Sequence, residues 1–426
     1  MREMKETGVV WCPSIPSDWE LRRVKDCFTI SKVKAGIKNP TVLKLARSGI
    51  QVKDVTVNEG QMAESYDDYN PVQIGDLLLN PMDLYSGANC NVSEVEGVIS
   101  PAYVNLRAKA RLNPFYFDYY FKLQYWAMAM FAHGKGVSYD NRWTINAEGV
   151  KSYEVPFPTI EEQNRIVEII KNKCSQIDAL IANTEQQITK LKAYKQSVIT
   201  ETVTKGLNPD VPMKDSGVEW IGEIPEHWNI IRKLSYVTTE GISYGIVKLF
   251  DPDDNGVKVL RCSDVLEGNI CTDNIRTVTK EVSQEYSRTI LSGGEVVVNV
   301  RGSLGGCSVV PNDMAGYNIA REVAKISPYA SIHNRYLMYY LLSHCFVDYR
   351  TRYLAGSVYI GLNIELLSSC PIPFPELFEQ QQIADYLDHK CSQIDKLIAL
   401  KQQKIEKLQQ YKRSLIYEYV TGKKEV

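Results

Sequence analysis

Basic side chains crowd the stretch between Arg22 and Arg47, where they could contact an anionic ligand. Glycine and proline, Gly36 and Pro40, interrupt the run, which indicates that part of it is a loop. Lys and Arg on a loop near the end of a strand suit contacts to phosphate groups. A solvated basic face is an equally good interpretation. The basic residues are Arg22, Arg23, Lys25, Lys32, Lys34, Lys38, Lys44 and Arg47.

A second polar group lies in a glycine-containing segment, HGKGVSYDNRW, residues 133–143. We call it the glycine loop, and GSVYIGLN, residues 356–363, takes the corresponding place in the second half of the chain. Flexible backbone beside cations and hydrogen-bond donors favours a loop that contacts nucleic acid. A purely structural turn is the alternative.

Two further polar segments follow short apolar runs that predict buried strands. We call them the strand-end loops: NPMDLYSG, residues 80–87, and NVRGSLGG, residues 299–306. Because arginine can bind guanine, and asparagine adenine, through two hydrogen bonds, Arg301 is a candidate for guanine and Asn80 or Asn299 for adenine. The predicted DNA-binding residues are Lys32, Lys34, Lys38, Arg47, Asn80, Lys135, Ser138, Tyr139, Arg142, Lys248, Arg261, Asn299, Arg301, Ser303, Ser357 and Tyr359.

The sequence contains no recognisable catalytic motif. The segment Asn80–Asp83 lacks the second proline and the aromatic residue of the Asn-Pro-Pro-aromatic motif of adenine methyltransferases. There is no GxxxxGK[ST] phosphate loop. The ten cysteines include no CxxC pair and the five histidines occupy separate contexts, so a zinc site is not expected. We predict a non-catalytic chain that holds no cofactor of its own.

Two long segments with an apolar stripe must position these loops. They run from Glu161 to about Thr204 and from Glu379 to about Thr421, and the hexapeptide KCSQID begins at Lys173 and again at Lys390, an offset of 390 − 173 = 217. Steps of three, four and seven predict a narrow seam on a helix, which suits pairing with another helix. A surface helix on a globular domain is the alternative. The seam residues are Ile166, Ile170, Cys174, Ile177, Ile181, Ile188, Leu191 and Val198, repeated as Ile383, Leu387, Cys391, Ile394, Ile398, Ile405, Leu408 and Leu415.

The repeat extends beyond the helices. The segment Met4–Trp19 matches Met213–Trp228 at an offset of 209, and both contain Ile-Pro-x-x-Trp. Each globular part mixes short strands with one or two helices, which predicts an α+β fold. We predict four regions: globular parts at 1–158 and 209–375, and helices at 159–208 and 376–426.

The amino-acid composition limits the broad class of protein to which the chain can belong. The chain has 426 residues, 44% of them apolar, and a formal net charge of −2. These values allow real cores and argue mildly against nucleic acid binding over the whole surface. The N-terminal sequence lacks the apolar centre of a signal peptide and no apolar run reaches the length of a membrane span, so we expect a cytoplasmic protein.

The order of globular part and helix, twice over, resembles the specificity subunit of type I restriction–modification enzymes. The resemblance rests on the Ile-Pro-x-x-Trp openings, the PFP-x3-EQ helix starts (Pro156 to Gln163 and Pro373 to Gln380) and the two KCSQID hexapeptides. It implies two target recognition domains, each reading one half of a bipartite site in double-stranded DNA. It also implies that the long helices form an antiparallel coiled coil within a pseudo-two-fold repeat.

The same resemblance implies partners that carry the chemistry. Two adenine-N6 methyltransferase subunits, and with them restriction subunits, would assemble on the helices. The assembled enzyme would use S-adenosylmethionine, ATP and Mg²⁺, for which this sequence shows no site. Three alternatives remain: the specificity subunit of a related enzyme whose nuclease and methyltransferase are fused, a coiled-coil adaptor that binds proteins only, and a stand-alone enzyme.

Overall fold

The computed structural model describes residues 2–31, 33–36, 40–46, 49–56, 65–82, 84, 90–109, 111–136, 143–231, 233–248, 253–354 and 361–426. The chain divides into two compact units, unit 1 (Met1–Thr184 with Gln403–Val426) and unit 2 (Glu185–Gln402). Both divisions fall inside the long helices, because each half of a long helix packs into the core of a different unit. The predicted boundaries after 158 and 375 lie instead where a globular part gives way to a helix.

Unit 1 contains short strands, three short helices, and one half of each long helix. The strands are β1 (Met4–Glu6), β2 (Ser14–Pro16), β3 (Glu20–Arg23), β4 (Phe28–Ser31), β5 (Leu43–Ala46), β6 (Gly49–Val52), β7 (Asn70–Val72), β8 (Leu77–Leu79), β9 (Cys90–Val92), β10 (Gly97–Ile99), β11 (Val104–Ala108) and β12 (Glu154–Phe157). The helices are α1 (Val24–Cys27), α2 (Pro114–Trp126), α3 (Ala147–Ser152) and the first long helix, α4 (Ile160–Lys205). A 3-10 turn covers Met130–His133.

The central sheet of unit 1 is antiparallel with strand order β4-β11-β8-β9. Its middle strand β8 is fully buried, as expected for an apolar run that enters from a turn. The aromatic helix α2 begins at Pro114, and Asn113 caps it by accepting a hydrogen bond from the backbone N–H of Phe115. Strands and helices together confirm the predicted α+β class.

Unit 2 contains a similar set of elements. The strands are β13 (Met213–Asp215), β14 (Glu223–Pro225), β15 (Asn229–Ile231), β16 (Ser243–Tyr244), β17 (Val257–Leu260), β18 (Arg276–Val278), β19 (Val296–Asn299), β20 (Cys307–Val309), β21 (Asn318–Ile319), β22 (Val323–Ile326) and β23 (Ile372–Phe374). The helices are α5 (Lys280–Glu285), α6 (Asn334–Leu342), α7 (His344–Leu354), α8 (Ile364–Ser368) and the second long helix, α9 (Leu377–Val420). Short 3-10 turns cover Leu234–Val237, Ser287–Thr289 and Asn312–Met314.

The central sheet of unit 2 has strand order β16-β22-β19-β20 and is again antiparallel. Strands β8 and β19, which precede the two strand-end loops, therefore hold the same position in their sheets. A second sheet, β18-β17-β21, has no counterpart of the same strand order among the described residues of unit 1. It pairs β17 with β21 in parallel.

The start of each long helix is fixed by a buried tryptophan. The indole N–H of Trp19 donates to Glu162 Oε2 at 2.8 Å, and that of Trp228 donates to Glu379 Oε2 at 2.9 Å. These glutamates belong to the EQ pair of the helix-start motif. A carboxylate in the first turn also interacts favourably with the partial positive charge of the helix N-terminus.

The glutamine of each EQ pair is fully buried and uses both ends of its amide. Gln163 accepts from the backbone N–H of Asn113 and donates to Pro158 O, at 2.8 and 2.9 Å. Gln380 likewise accepts from the N–H of His333 and donates to Pro375 O, at 2.7 and 2.9 Å. The sequence motif therefore performs the same contacts in both units.

The end of a long helix is bound by a tyrosine in each unit. Tyr116 donates to Val420 O at 2.8 Å in unit 1, and Tyr336 donates to Val203 O at 3.3 Å in unit 2. The glycines just past the helix ends, Gly206 and Gly422, have φ of +76° and +69°, a conformation that favours glycine. The predicted helix ends are confirmed to within a residue or two.

Side chains of both long helices meet inside each unit. In unit 1 Lys412 forms an ion pair with Asp178, and in unit 2 Lys195 pairs with Asp395, each with an N–O distance of 2.7 Å. In unit 2 Lys401 also donates to Gln187 Oε1 at 2.6 Å. Since 401 follows 395 while 187 precedes 195, the two helix segments within unit 2 run in opposite directions.

The predicted seam residues are buried or half-buried on both helices. Buried are Ile166, Ile170, Cys174, Ile177, Ile188, Ile383, Leu387, Cys391, Ile394, Ile405 and Leu415, and half-buried are Ile181, Leu191, Val198, Ile398 and Leu408. In the part of the chain that the structure describes, no helix is both long and apolar enough to cross a membrane.

Candidate nucleic-acid interface

In unit 1 the strand-end loop and the far end of the glycine loop lie side by side. The backbone N–H of Ile145 donates to Pro81 O at 2.9 Å, and that of Leu84 donates to Trp143 O at 3.0 Å. The sequence predicted both loops as DNA contacts but gave no indication that they meet. Their contact brings the described ends of two segments that are distant in sequence onto one part of unit 1.

An aromatic pair closes the base of the unit 1 glycine loop. Trp143 stacks on Phe131 with ring centroids 5.3 Å apart, and its indole N–H donates to Phe131 O. A Cβ at Gly134 would lie 2.3 Å from the indole nitrogen, so this position requires glycine. Lys135 and Thr144 exchange backbone hydrogen bonds of 2.7 and 3.0 Å. The side chain of Lys135 is exposed at this base.

The same meeting of loops occurs in unit 2. The backbone N–H of Leu362 donates to Val300 O at 2.8 Å, and Arg301 and Gly361 form an antiparallel bridge. Ser303 is exposed and Arg301 is half-buried in this region. Each unit therefore offers one surface on which a strand-end loop and a glycine loop adjoin.

Asn299 is buried, so it is not a surface residue and the prediction of an adenine contact there needs correction. Only 2% of it is exposed. Its amide nitrogen donates to the backbone carbonyls of Cys262, Val265 and Ser303, at 2.9, 3.0 and 3.2 Å. Its role in this conformation is to hold the strand-end loop of unit 2 against the loop that follows β17. Asn80 is half-buried, and its Oδ1 accepts from the N–H of Met82 in a turn.

Arg261 is engaged inside unit 2. Its guanidinium binds the buried carboxylate of Asp264 through two hydrogen bonds of 3.0 Å, and it also donates to Asn274 O. The hydrogen bond to Asp264 raises the pKa of Arg261. A DNA contact from this arginine would leave the buried carboxylate of Asp264 without its cation, which makes the structural role of Arg261 the stronger one.

The remaining predicted residues divide into exposed and undescribed ones. Lys34 is exposed and pairs with Asp68 at 2.6 Å, a surface ion pair that a phosphate can displace at little cost. Lys248 is exposed as well. The other predicted residues lie outside the described part of the chain: Lys32, Lys38, Arg47, Ser138, Tyr139, Arg142, Ser357 and Tyr359.

Two residues of this surface were missed by the sequence analysis. Arg321 is exposed beside the strand-end loop, because the carbonyl of its neighbour Glu322 accepts from the backbone N–H of Arg301. Tyr244 lies under Arg301, with the guanidinium carbon 5.2 Å from the ring centroid. Neither stands in a motif, and both reach the site through strand pairing, which the sequence did not reveal.

Both long helices also carry exposed apolar side chains at equivalent positions. Leu180 and Leu397, related by the offset of 217, are each 48% exposed. Tyr194 and Tyr411, related by the same offset, are 49% and 54% exposed. Among the described residues, no group of three or more His, Cys, Asp or Glu side chains could hold a metal ion.

Comparison with known proteins gives a consistent result. Residues 16–193 and 236–410 match the family described as type I restriction modification DNA specificity domain. The type I restriction enzyme MjaVIII specificity subunit of Methanocaldococcus jannaschii is 25% identical over 431 residues, which covers 96% of this chain and 93% of the relative. The EcoBI specificity subunit of Escherichia coli is 24% identical over 366 residues, 82% of this chain and 74% of the relative.

A solved structure supports the fold. It comes from work on complex assembly and conformational transition of the type I R-M system, and it superposes with a TM-score of 0.70. The alignment covers 95% of this chain and 98% of that one, at 18% sequence identity.

Proposed function

The chain belongs to the type I restriction modification DNA specificity domain family, and on that premise we propose how it selects DNA. Each unit reads one half of a bipartite site with the surface where its strand-end loop and glycine loop adjoin. The observation that carries the proposal is the duplication of this meeting, through Ile145 and Pro81 in unit 1 and through Leu362 and Val300 in unit 2. Two reading surfaces in one chain require two half-sites.

The contacts of unit 1 come from its exposed cations and the polar residues of its loops. Lys34 and Lys135 bind phosphates and fix the position of the duplex. Asn80 begins the strand-end loop, and a base contact from it requires that its side chain leave the turn with Met82. The undescribed residues of the predicted set keep their proposed roles: Lys32, Lys38, Arg47, Ser138, Tyr139 and Arg142.

In unit 2, as in unit 1, some residues contact phosphates and others contact bases. Lys248 and Arg321 bind phosphates, while Arg301 and Ser303 face the bases. Ser357 and Tyr359 of the glycine loop are proposed contacts as well. Arg261 and Asn299 shape the surface from within, because their side chains are held by Asp264 and by backbone carbonyls.

The long helices are proposed to form the antiparallel coiled coil of a pseudo-two-fold repeat. Equivalent ion pairs in the two units, and the opposed direction of the helix segments in unit 2, support this proposal. Leu180 with Tyr411 in unit 1, and Leu397 with Tyr194 in unit 2, are proposed as two equal docking surfaces. Two copies of one partner would fit them, namely the methyltransferase subunits, and with these the restriction subunits.

The chain itself is proposed to be non-catalytic, leaving methylation and cleavage to those partners. The relatives it resembles are specificity subunits of type I restriction enzymes, which favours this proposal over an enzyme with a fused nuclease and methyltransferase. A protein-only adaptor would not need two polar loop surfaces.

DNA binding by the chain assembled with its methyltransferase tests the proposal. We expect binding to duplex DNA whose affinity falls steeply with salt, because phosphate contacts release counterions. Replacing Lys135 by Ala should lower the slope of log K against log salt by roughly 0.9, the value for one phosphate contact. Lys190→Ala, on an exposed helix face, is the matched control and should leave the slope unchanged. Affinity for DNA that does not depend on salt would contradict the proposal.

A further inference from the structure

Tyr244 contacts both parts of the reading surface of unit 2. Its hydroxyl donates to Leu362 O at 3.4 Å and accepts from the backbone N–H of Ile364 at 3.0 Å. Its ring faces the guanidinium of Arg301 at 5.2 Å. One half-buried side chain on strand β16 thus connects the strand-end loop with the far end of the glycine loop.

The backbone around Arg301 is fixed independently of Tyr244. The N–H groups of Val300 and Arg301 donate to Glu322 O at 2.8 and 3.3 Å, and Val300 O accepts from Leu362 N–H. These bonds hold the main chain of the strand-end loop on both sides. They fix the main chain at Arg301, and the ring of Tyr244 contacts its long side chain.

A guanidinium held over an aromatic ring by a cation–π contact has fewer orientations open to it than one in solvent. The N–H groups of a guanidinium match the O6 and N7 acceptors of guanine in the major groove. Because the side chain is ordered before DNA arrives, less conformational entropy is lost on binding. The ring of Tyr244 contacts the guanidinium of Arg301, whose N–H groups are the donors that a guanine would accept from.

We propose that Tyr244 is the positioning residue that orients Arg301 to read a guanine in the half-site of unit 2. This inference rests on the proposed function, since it assumes that unit 2 faces DNA. It also predicts an asymmetry. By the correspondence of Asn80 with Asn299, the position of Arg301 is taken by Met82 in unit 1, so the half-site of unit 1 has no guanine that is read in this way.

Selection from a duplex DNA library tests the inference. The probe is double-stranded DNA with randomised blocks, bound by the full chain in complex with its methyltransferase and then sequenced. Wild type should show a guanine at one position of one half-site. Arg301→Lys keeps the charge but loses the planar fork, and should lose the preference for that guanine by about tenfold or more.

Two variants separate the ring of Tyr244 from its hydroxyl. Tyr244→Leu removes both and should lower the preference for the same guanine about tenfold. Tyr244→Phe keeps the ring and should lower it only about threefold, through the loss of two neutral hydrogen bonds. Tyr236→Leu is the matched control, because Tyr236 is exposed beside Lys233 with a similar ring-to-cation distance of 5.9 Å, and the preference should not change.

The pattern across positions distinguishes orientation from general stability. Orientation of Arg301 predicts a loss at one guanine, with the rest of the motif and the affinity for unrelated DNA unchanged. An equal loss at every position of the half-site would overturn the inference, as would an unchanged motif in Tyr244→Leu while Arg301→Lys loses the guanine. If Tyr244→Leu does not fold, Tyr244→Trp takes its place. A change of preference confined to the one guanine supports the inference, and an unchanged motif overturns it.

If the proposed function is wrong, the selection gives a result that differs from failure of the Tyr244 inference. In that case the wild-type complex selects no sequence from the library, whatever residue stands at 244. A selected motif in which no base responds to Arg301→Lys overturns the inference alone and leaves the reading role of the two units intact.

Discussion

The helix starts and the loop surfaces of the two units differ in how far the duplication extends. At the helix starts the contacts repeat residue for residue, with Trp19 and Glu162 in unit 1 matched by Trp228 and Glu379 in unit 2. At the loop surfaces only the backbone arrangement repeats. Unit 1 closes its glycine loop with Phe131 and Trp143, whereas unit 2 uses Tyr244 below Arg301.

This difference separates two requirements on the molecule. A frame that presents equal surfaces to equal partners needs the same contacts twice, which explains the identical roles of the EQ pairs. A pair of readers for two different half-sites needs different side chains on one backbone arrangement. Unit 1 and unit 2 therefore share the backbone arrangement of their loops but differ in the side chains at the loop surface.

The largest effect is expected from placing charge in the helix seam. Ile177 and Ile394, related by the offset of 217, are 5% and 3% exposed. Changing both to Asp buries two carboxylates without partners, at a cost on the order of 4 kcal/mol each. Assembly with the methyltransferase should be lost, which size-exclusion chromatography with light scattering would show. Asp at the exposed neighbours Ser175 and Ser392 is the control. Assembly that survives the Ile changes would contradict helix pairing.

A smaller effect is expected from the tryptophans at the helix starts. Trp19 and Trp228 are buried to 1% and 0% exposure. Replacing either by Ala should destabilise its own unit by about 3–5 kcal/mol. Hydrogen exchange measured by mass spectrometry resolves the two units separately, which a single unfolding curve would not. Equal losses of local stability in the two variants would support equivalent helix starts in the two units. A loss in only one variant would contradict that equivalence.

The two glutamates of the same motif should contribute differently to stability, because their second partners differ. Arg2 forms an ion pair with Glu162, whereas His227 Nε2 lies 3.2 Å from Glu379. Glu162→Gln should cost about 1–2 kcal/mol, since it weakens a charge-assisted bond to Arg2. Glu379→Gln should cost about half as much or less. The measurement is again hydrogen exchange near each helix start, with exposed Glu161→Gln as the control. Equal costs would show that Arg2 adds nothing.

The smallest effect on stability is expected on the exposed faces of the helices. Leu180→Lys and Leu397→Lys should change the free energy of unfolding by less than about 0.5 kcal/mol. Each should nevertheless remove one bound methyltransferase, because it puts a charge into one of two equal docking surfaces. Native mass spectrometry counts the bound subunits. Two bound subunits in the double variant would contradict this assignment of the surfaces.

Most of the frame could be predicted from the sequence. The seam periodicity predicted both long helices to within a residue or two at each end. Periodic burial and helix stop signals are local properties, so a sequence displays them. The buried strands β8 and β19 were predictable for the same reason.

The reading surfaces could be predicted only in part. The polar loops were visible as segments, but their contacts depend on pairing between residues far apart in sequence, such as Ile145 with Pro81. Asn299 appeared suitable for a base because its type is right, yet three carbonyls surround it. Tyr244 and Arg321 carried no local signal at all. Residue type suggests chemistry, whereas burial and direction decide whether it faces a ligand.

Exchange of one globular part tests the central claim most directly. Residues Met213–Pro373 would be replaced by the equivalent part of a relative with a different target, and the motif methylated by the assembled enzyme would be read by methylome sequencing. If each unit reads its own half-site, one half of the motif changes to that of the donor and the other half stays as it was. A change in both halves, or in neither, would contradict the account.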